Sequence, residues 1–278
     1  MVIRVYGKVN LALNVTGKMQ GLHTLDMVET SISLYDEIEV NKSQESHIEF
    51  IFDENNFVQE VKDDYYVKLC QAISSFYAKY GKETISIKIK KGIPFGAGLG
   101  GGSAPIVGII KALALMKGVE PDKWFLLSLG SDVPYMYEGG LCRVSSLGQV
   151  VEKLEYKPMK LLLSFPDGII DTKECFLTYD KINIENILKT REIERIIEEI
   201  TSENLFNDLE SSAFLLNEEI ENTMLELRKR GFVPHMSGSG SAVFSILEPD
   251  VEIDEAVDII CDTMPNGVEI LDKKFKNF

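Results

Sequence analysis

A glycine-rich segment running from Pro94 to Ala104 has the composition of a phosphate-binding loop, with five glycines among the seven residues from Gly96 to Gly102. Glycine lets the backbone approach a ligand closely, and backbone N–H groups at a helix start can bind phosphate. The members of this candidate loop are Pro94, Phe95, Gly96, Ala97, Gly98, Leu99, Gly100, Gly101, Gly102, Ser103 and Ala104. Phosphate binding is the chemistry this pattern favours, and a tight turn without a ligand is the alternative.

The residues around this loop predict the order strand, loop, helix. Residues 84–90 alternate between apolar and polar side chains, as in a strand with one buried face. Residues 105–116 are apolar enough for a buried helix, with Ser103 as N-cap and Gly118 as the stop. The positive end of that helix dipole would therefore face the loop.

Familiar nucleotide loops do not fit this context. Gly96 to Gly101 matches G-x-G-x-x-G, but Lys88 and Lys90 precede it on one face of a strand that in a Rossmann fold is apolar on both faces. The Gly-Lys-Ser/Thr ending of a Walker A loop is missing, as are the His-Arg-Asp and Asp-Phe-Gly motifs of protein kinases. The loop is therefore predicted to bind a nucleotide in another kind of fold.

The composition excludes several classes of partner. The chain has 278 residues and a formal net charge of -15, so it should repel nucleic acid and anionic membranes. Its densest basic cluster, Lys88, Lys90 and Lys91, is predicted to be the solvated edge of a strand. No apolar run approaches a membrane span, and no export signal is recognised. We expect a soluble protein with no nucleic-acid or membrane partner.

The cysteines and histidines are scattered. Cys70, Cys142, Cys175 and Cys261 form no C-x-x-C pair, and the three histidines are equally dispersed. A zinc site is therefore not expected. Unclustered cysteines are typical of reduced thiols, which favours a cytoplasmic location.

The rest of the chain mixes strands and helices without strict βαβ alternation, so the predicted fold class is α+β. Near the start, Lys8, Asn10, Ala12 and Asn14 share one strand face, which is either solvated or functional. A boundary at residues 157–158 predicts domains of residues 1–156 and 157–278. Further predicted elements are a loop at 17–21, a helix at 65–80, a strand at 160–165, helices at 184–200, 205–217, 218–230 and 251–264, and strands at 242–247 and 268–271.

Three separated segments together resemble the GHMP small-molecule kinases. They are Gly7–Leu11, the glycine-rich loop taken with Gly130–Pro134, and Met236–Gly240. Within that family, Leu22–Leu25 and Asn207–Glu210 are similar to the members that phosphorylate the 2-hydroxyl of a CDP-linked methylerythritol in non-mevalonate isoprenoid biosynthesis. One departure is Leu22, which precedes His23 where those members usually have Tyr.

The resemblance implies a two-domain α+β fold with the active site in the cleft between the domains. It implies ATP and a CDP-linked polyol as small-molecule substrates, Mg²⁺ with the ATP, and a monomer or homodimer. A GHMP kinase for another small alcohol, of the mevalonate or homoserine type, and an inactive nucleotide-binding homologue are the alternatives.

The resemblance also implies roles for individual residues. Asp132 would be the catalytic base and Lys8 its charged partner, while the glycine-rich loop would hold the ATP phosphates. The residues implied to face the substrate are Asn10, His23, Phe176, Gly238, Ser239 and Gly240. Simpler alternatives are a helix cap for Asp132, a solvated surface lysine for Lys8, a loop residue for His23 and a core position for Phe176.

Overall fold

The computed structural model describes residues 1–52, 63–182, 189–248 and 259–274. Its strands are β1 (Val2–Met19), β2 (Leu22–Lys42), β3 (His47–Ile51), β4 (Ile85–Lys90), β5 (Cys142–Ser146), β6 (Val150–Lys153), β7 (Lys160–Ser164), β8 (Phe206–Asn207), β9 (His235–Met236), β10 (Val243–Ile246), β11 (Ile259–Met264) and β12 (Val268–Asp272). Its helices are α1 (Asp63–Tyr80), α2 (Ala104–Lys117), α3 (Lys123–Leu129), α4 (Val133–Glu138), α5 (Thr172–Ile182), α6 (Thr190–Glu198), α7 (Glu210–Leu216) and α8 (Glu218–Lys229).

The long hairpin of β1 and β2 is the element on which the fold is built. The two strands are antiparallel and joined at Gln20 and Gly21, both of which have positive φ angles. The predicted loop at 17–21 is therefore wrong in part, since residues 17–19 belong to β1 and only residues 20–21 form the turn. A two-residue turn of this kind matches the twist of the strands that flank it. The register sets Lys8 opposite Ser31 and Asn10 opposite Glu29.

The other strands extend this hairpin into one continuous sheet. Its order is β12-β1-β2-β11-β7-β10-β9, with β4 and β5 also paired to β2. Helix α2 packs on β1 and β2, and its ten buried residues form part of the core. The strand–loop–helix order around residues 84–118 is therefore confirmed, and the loop lies between β4 and α2.

Two predicted helices are wrong in part. Residues 206–207 form β8, which pairs in parallel with β1, so helix α7 begins only at Glu210. Residues 259–264 form β11, which pairs with β2 and β7, while 251–258 lie outside the described residues. Of the predicted helix at 184–200, α6 accounts for Thr190–Glu198, and 184–188 also lie outside the described residues.

No helix within the described ranges is long and apolar enough to cross a membrane.

Lys91 is fully buried, which corrects the prediction that it lies on a solvated strand edge. Its ammonium group forms an ion pair with Asp36 of β2, which is equally buried, and donates to the carbonyl of Gly101 at 2.7 Å. The other Asp36 oxygen accepts from the N–H groups of Gly92 and Ile93 at 2.8 and 2.9 Å. This ion pair therefore ties the glycine-rich loop to the central strand.

Burial dominates the electrostatics of this pair. It raises the pKa of Asp36 and lowers the pKa of Lys91, in each case against the attraction of the partner charge. Removing one member would leave the other as an unpaired buried charge.

We expect Lys91→Met to lower the free energy of unfolding by about 3–5 kcal/mol, because Asp36 would lose its counterion. Denaturant unfolding measures this loss. Lys88→Met is the matched control, since Lys88 is half-exposed and pairs only loosely with Glu49; it should change stability by no more than about 0.5 kcal/mol. The double variant Asp36→Asn/Lys91→Met should recover part of the loss, and equal losses in all three variants would contradict this account.

Candidate active site

A cavity of about 600 Å³ lies where both halves of the chain meet. The sheet and the glycine-rich loop form one wall, and α5 together with the loop after β9 forms another. The predicted site residues that border it are Lys8, Asn10, Phe95, Gly96, Gly98, Gly100, Gly101, Gly102, Ser103, Asp132, Phe176, Gly238 and Ser239. The other predicted residues, Pro94, Ala97, Leu99, Ala104, His23 and Gly240, lie outside the lining that the described residues form.

Lys8 is buried, so the interpretation as a solvated lysine is wrong. Its ammonium group donates to Asn10 Oδ1 at 2.5 Å and forms an ion pair with Glu29 Oε1 at 3.0 Å. Asn10 Nδ2 donates to the same Glu29 oxygen at 2.9 Å. The three side chains therefore close a triangle of hydrogen bonds, called here the lysine triad. It fixes the Asn10 amide with its oxygen toward the lysine, since an ammonium can only donate.

The charges of the triad act on one another. Burial lowers the pKa of Lys8, but the carboxylates of Glu29 and Asp132 outweigh it and raise that pKa overall. Burial raises the pKa of Glu29, with a further contribution from Asp132, and the nearby lysine only partly offsets this. Lys8 is therefore held as an ammonium ion between two acidic side chains.

Asp132 stands at the N-cap position of α4 without acting as a cap. Its backbone is in the right-handed helical region, and its side chain accepts no capping hydrogen bond. This contradicts the alternative of a helix cap, for which the side chain would accept from the first turn. The carboxylate is half-buried and borders the cavity.

The glycine-rich loop is in direct contact with the region of residues 237–241, which is called here the second glycine loop. Ser237 Oγ donates to the carbonyl of Gly98 at 2.9 Å, and Ala242 N donates to the carbonyl of Ala97 at 3.1 Å. Gly98 has a φ of +74°, and a Cβ there would lie 2.0 Å from the carbonyl oxygen of Ser237. Glycine at this position is therefore required by the neighbouring loop.

The second glycine loop, which follows β9, accepts a hydrogen bond from β8. Asn207 Nδ2 donates to the carbonyls of Met236 and Gly238, at 2.9 and 2.8 Å. Asp208 accepts from Asn14 Nδ2 at 2.8 Å and from Val15 N at 2.9 Å, which fixes β8 against β1. The segment Asn207–Glu210 thus supports the second glycine loop.

An aromatic pair lies at one end of the cavity. The ring of His23, in β2, stacks on Phe176 of α5 with centroids 4.7 Å apart and an interplanar angle of 22°. His23 Nε2 lies 2.8 Å from Asp180 Oδ1, and Lys18 pairs with the same carboxylate. Burial raises the pKa of Asp180, but these two hydrogen bonds outweigh it and lower that pKa overall. Phe176 is half-buried and borders the cavity, so it is not a plain core residue.

Sequence reasoning missed several residues of this site. Glu29 belongs to the lysine triad, and Tyr65 and Lys68 border the cavity from α1. Glu29 had no usable signal, because a tight turn at residues 20–21 alone would set Asn10 opposite Ser31, and two register shifts along the hairpin bring Glu29 there instead. Tyr65 also had no signal in the sequence, because its place in the site depends on a contact across the fold. Its phenol donates to the carbonyl of Gly102 at 2.8 Å.

The family models for the GHMP kinases match both halves of the chain. The model for the GHMP kinase N-terminal domain matches residues 65–140, and that for the C-terminal domain matches residues 184–266. The chain therefore belongs to the GHMP kinase family, whose fold has two α+β domains with the active site in the cleft between them, and it is an ATP-dependent kinase.

Its similarities point to one branch of the family. It is 34% identical to a 4-diphosphocytidyl-2-C-methyl-D-erythritol kinase of Thermoanaerobacter pseudethanolicus, over 88% of this chain and 87% of the relative. It is 33% identical to the kinase of that name from Caldanaerobacter subterraneus, over 90% of this chain and 88% of the relative. A crystal structure of 4-(cytidine 5'-diphospho)-2C-methyl-D-erythritol kinase superposes with a TM-score of 0.70 at 26% identity, covering 89% of this chain and 90% of the other.

We expect Gly98→Ala and Gly102→Ala to differ in stability. The first forces a Cβ against the Ser237 carbonyl at a positive φ and should cost more than about 1 kcal/mol. At Gly102, φ lies outside the left-handed region and a Cβ meets only the Tyr65 ring at 3.9 Å, so the cost should stay within about 0.5 kcal/mol. Melting curves compare the two.

Gly102→Val extends this test to the ligand. The larger side chain should point into the cavity and raise the KM for ATP while the melting temperature stays near that of the unmodified protein. An unchanged KM for ATP would mean that this part of the loop does not contact the nucleotide.

Proposed function

We propose that this kinase transfers the γ-phosphoryl group of ATP to the 2-hydroxyl of 4-diphosphocytidyl-2-C-methyl-D-erythritol. The observation that carries the proposal is that Lys8, Asp132 and the glycine-rich loop border one cavity. The relatives at 33–34% identity, which bear the name of that kinase, support the choice of acceptor. Because the reaction consumes ATP, we place it in the cytoplasm.

The glycine-rich loop is the proposed site of the ATP phosphates. It leads from β4 into α2, a helix of 14 residues whose first turn begins at Ala104. Backbone N–H groups and the positive end of the helix dipole suit a triphosphate. The backbone conformation of the loop would be fixed before ATP binds, since Lys91 and Ser237 donate hydrogen bonds to its carbonyl oxygens.

Asp132 is the proposed base. As the hydroxyl oxygen bonds to the γ-phosphorus, the bond from phosphorus to the ADP oxygen breaks, and the hydroxyl proton passes to the Asp132 carboxylate. Lys8, next to it, offsets the negative charge on the transferring group. Its ammonium is supplied in a fixed position by Asn10 and Glu29.

Mg²⁺ is the expected companion of ATP. The described residues contain no group of three or more His, Cys, Asp or Glu that could hold a metal ion. Mg²⁺ usually keeps waters and binds through substrate phosphates with few protein ligands. Ser103 borders the cavity and its hydroxyl makes no capping bond, so it is the proposed protein contact. When bound, the ion neutralises phosphate charge.

Phe176 is the proposed platform for the cytosine ring. His23 stacks on one face of Phe176, and Phe176 also borders the cavity, so a base bound there would stack on the face that His23 does not cover. His23, whose ring is held by Asp180, does not border the cavity and would support the Phe176 ring on the side away from the base.

We further propose that the chain divides at residues 156 and 157, into an ATP-binding part and a C-terminal part. The matched family models lie on either side of this boundary. The last strand, β12, returns to pair with β1, so the chain end contributes to the N-terminal sheet.

The proposal is tested by ATP consumption against a panel of alcohols that holds the CDP-linked methylerythritol, mevalonate and homoserine. We expect turnover with the CDP-linked compound. Asp132→Asn should lower that turnover roughly 10²–10⁴-fold, the usual effect of losing a positioned base, and leave ATP affinity nearly unchanged. Phosphorylation of only another alcohol would overturn the choice of acceptor, and a fully active Asn variant would overturn the assignment of the base.

We expect Phe176→Ala to raise the KM for the CDP-linked substrate about 5-fold to 150-fold, the equivalent of one stacked base. The KM for ATP should not change. Leu177→Ala is the matched control, because Leu177 follows on the same helix but is 49% exposed. A loss of thermal stability together with equal effects on both substrates would show that Phe176 acts only in packing.

A further inference from the structure

Glu29 is a buried carboxylate that neither the phosphate site nor the proposed base uses. Its side chain is 1% exposed, and it comes from the strand opposite Lys8 and Asn10. Burying a carboxylate is costly unless it is paired, and an apolar residue here would avoid that cost. The position therefore needs an explanation beyond packing.

Among the described residues, the side-chain hydrogen bonds and ion pair of Glu29 lie within the lysine triad. One oxygen, Oε1, accepts from Lys8 at 3.0 Å and from Asn10 at 2.9 Å. Asn10 Nδ2 also donates to Met27 Sδ at 3.3 Å, and Asn10 Oδ1 accepts from the Lys8 ammonium group. Both ends of the amide are thus engaged within the protein, so Asn10 acts chiefly on Lys8.

The triad restricts where the Lys8 ammonium can point. An ammonium group has three donors, and two of them go to Asn10 and Glu29. The third is left for the cavity, which Lys8 and Asp132 both border. The aliphatic stem of Lys8 passes close to the glycine-rich loop, since a Cβ added at Gly100 would lie 3.5 Å from Lys8 Cγ.

We propose that Glu29 is a positioning residue for phosphoryl transfer, which holds the Lys8 ammonium in its charged form and directs its remaining donor at the reacting groups beside Asp132. This inference rests on the proposed role of Lys8 in the kinase reaction. It assigns Glu29 no contact with either substrate.

Other titratable groups lie near Glu29, and their ionisation would contribute to any measured pH profile. Lys8 approaches from β1, Asp132 from the residue before α4, Tyr135 from α4 and Cys142 from the paired position on β5. Burial raises the pKa of Cys142 to about 12 and raises that of Tyr135 well above its usual value. Lys8 is therefore the group of this set whose titration in alkali should respond to Glu29.

The first test compares Glu29→Gln with the unmodified protein. Gln can still accept both hydrogen bonds but carries no charge, so the pKa of Lys8 should fall and the alkaline limb of the kcat profile should move to lower pH. We expect kcat at neutral pH to fall roughly 10-fold to 100-fold, the scale of a displaced catalytic group, with the KM for ATP unchanged. Activity should recover in part as the pH is lowered, because Lys8 is then protonated again.

Two further variants separate charge from position. Glu29→Leu removes the hydrogen bonds as well, so lowering the pH should not restore its kcat. Asp26→Asn is the matched control: it also removes a carboxylate from β2, one that pairs with Arg143 at 2.7 Å and does not border the cavity. It should leave the alkaline limb unmoved. If Glu29→Gln does not fold, Glu29→Asp keeps the charge one methylene further back, and it should lower kcat without moving the limb.

A measurement without substrate separates this inference from the proposed function. The Lys8 side chain can be titrated by NMR in protein labelled at the lysine ε-carbon, with Lys8→Met to assign the signal. A lower Lys8 pKa in Glu29→Gln, but not in Asp26→Asn, supports the inference whichever alcohol is phosphorylated. An unmoved Lys8 titration in Glu29→Gln, or kcat equal to that of the unmodified protein in both Gln and Asp variants, would overturn it.

Discussion

Two lysines buried beside the glycine-rich loop constrain the rest of the structure, because a buried ammonium must have a counterion. Both counterions come from β2: Glu29 serves Lys8, and Asp36 serves Lys91. Both lysines also hold the loop, since Lys8 N donates to the Leu99 carbonyl and Lys91 Nζ donates to that of Gly101. The position of β2 between β1 and β4 therefore determines where the loop lies relative to the candidate catalytic lysine.

The loop is constrained from its other side by the second glycine loop. The absence of a side chain at Gly98 permits the Ser237 carbonyl to approach, and the Ser237 hydroxyl binds back to the Gly98 carbonyl. Ser237 also accepts from Asn10 N at 3.2 Å. One serine thus connects β1, the first glycine loop and the second. A displacement of either loop would be transmitted to the strand that carries Lys8 and Asn10.

The sequence carried enough information for the local elements and for the family. The alternation over residues 84–90, the apolar run after Pro105 and the stop at Gly118 are local signals, and β4 and α2 appear where those signals place them. The burial of Lys91 could not be predicted from the sequence, because its surroundings are set by Asp36, 55 residues away in sequence. The strand at 206–207 could not be predicted either, because its pairing with β1 overrides its helical spacing. Contacts of long sequence separation leave no periodic pattern to detect.

The charge of the chain makes the local arrangement of donors decisive. With a net charge of -15, the protein as a whole offers no attraction to a nucleoside triphosphate or a nucleoside diphosphate. Binding must then rest on backbone N–H groups, on the few lysines that border the cavity and on the metal that accompanies ATP. A lysine free to move would form ion pairs with different nearby carboxylates, and its ammonium group would have no fixed direction. The lysine triad prevents this, because it satisfies Glu29 inside the protein and leaves one ammonium donor facing the cavity.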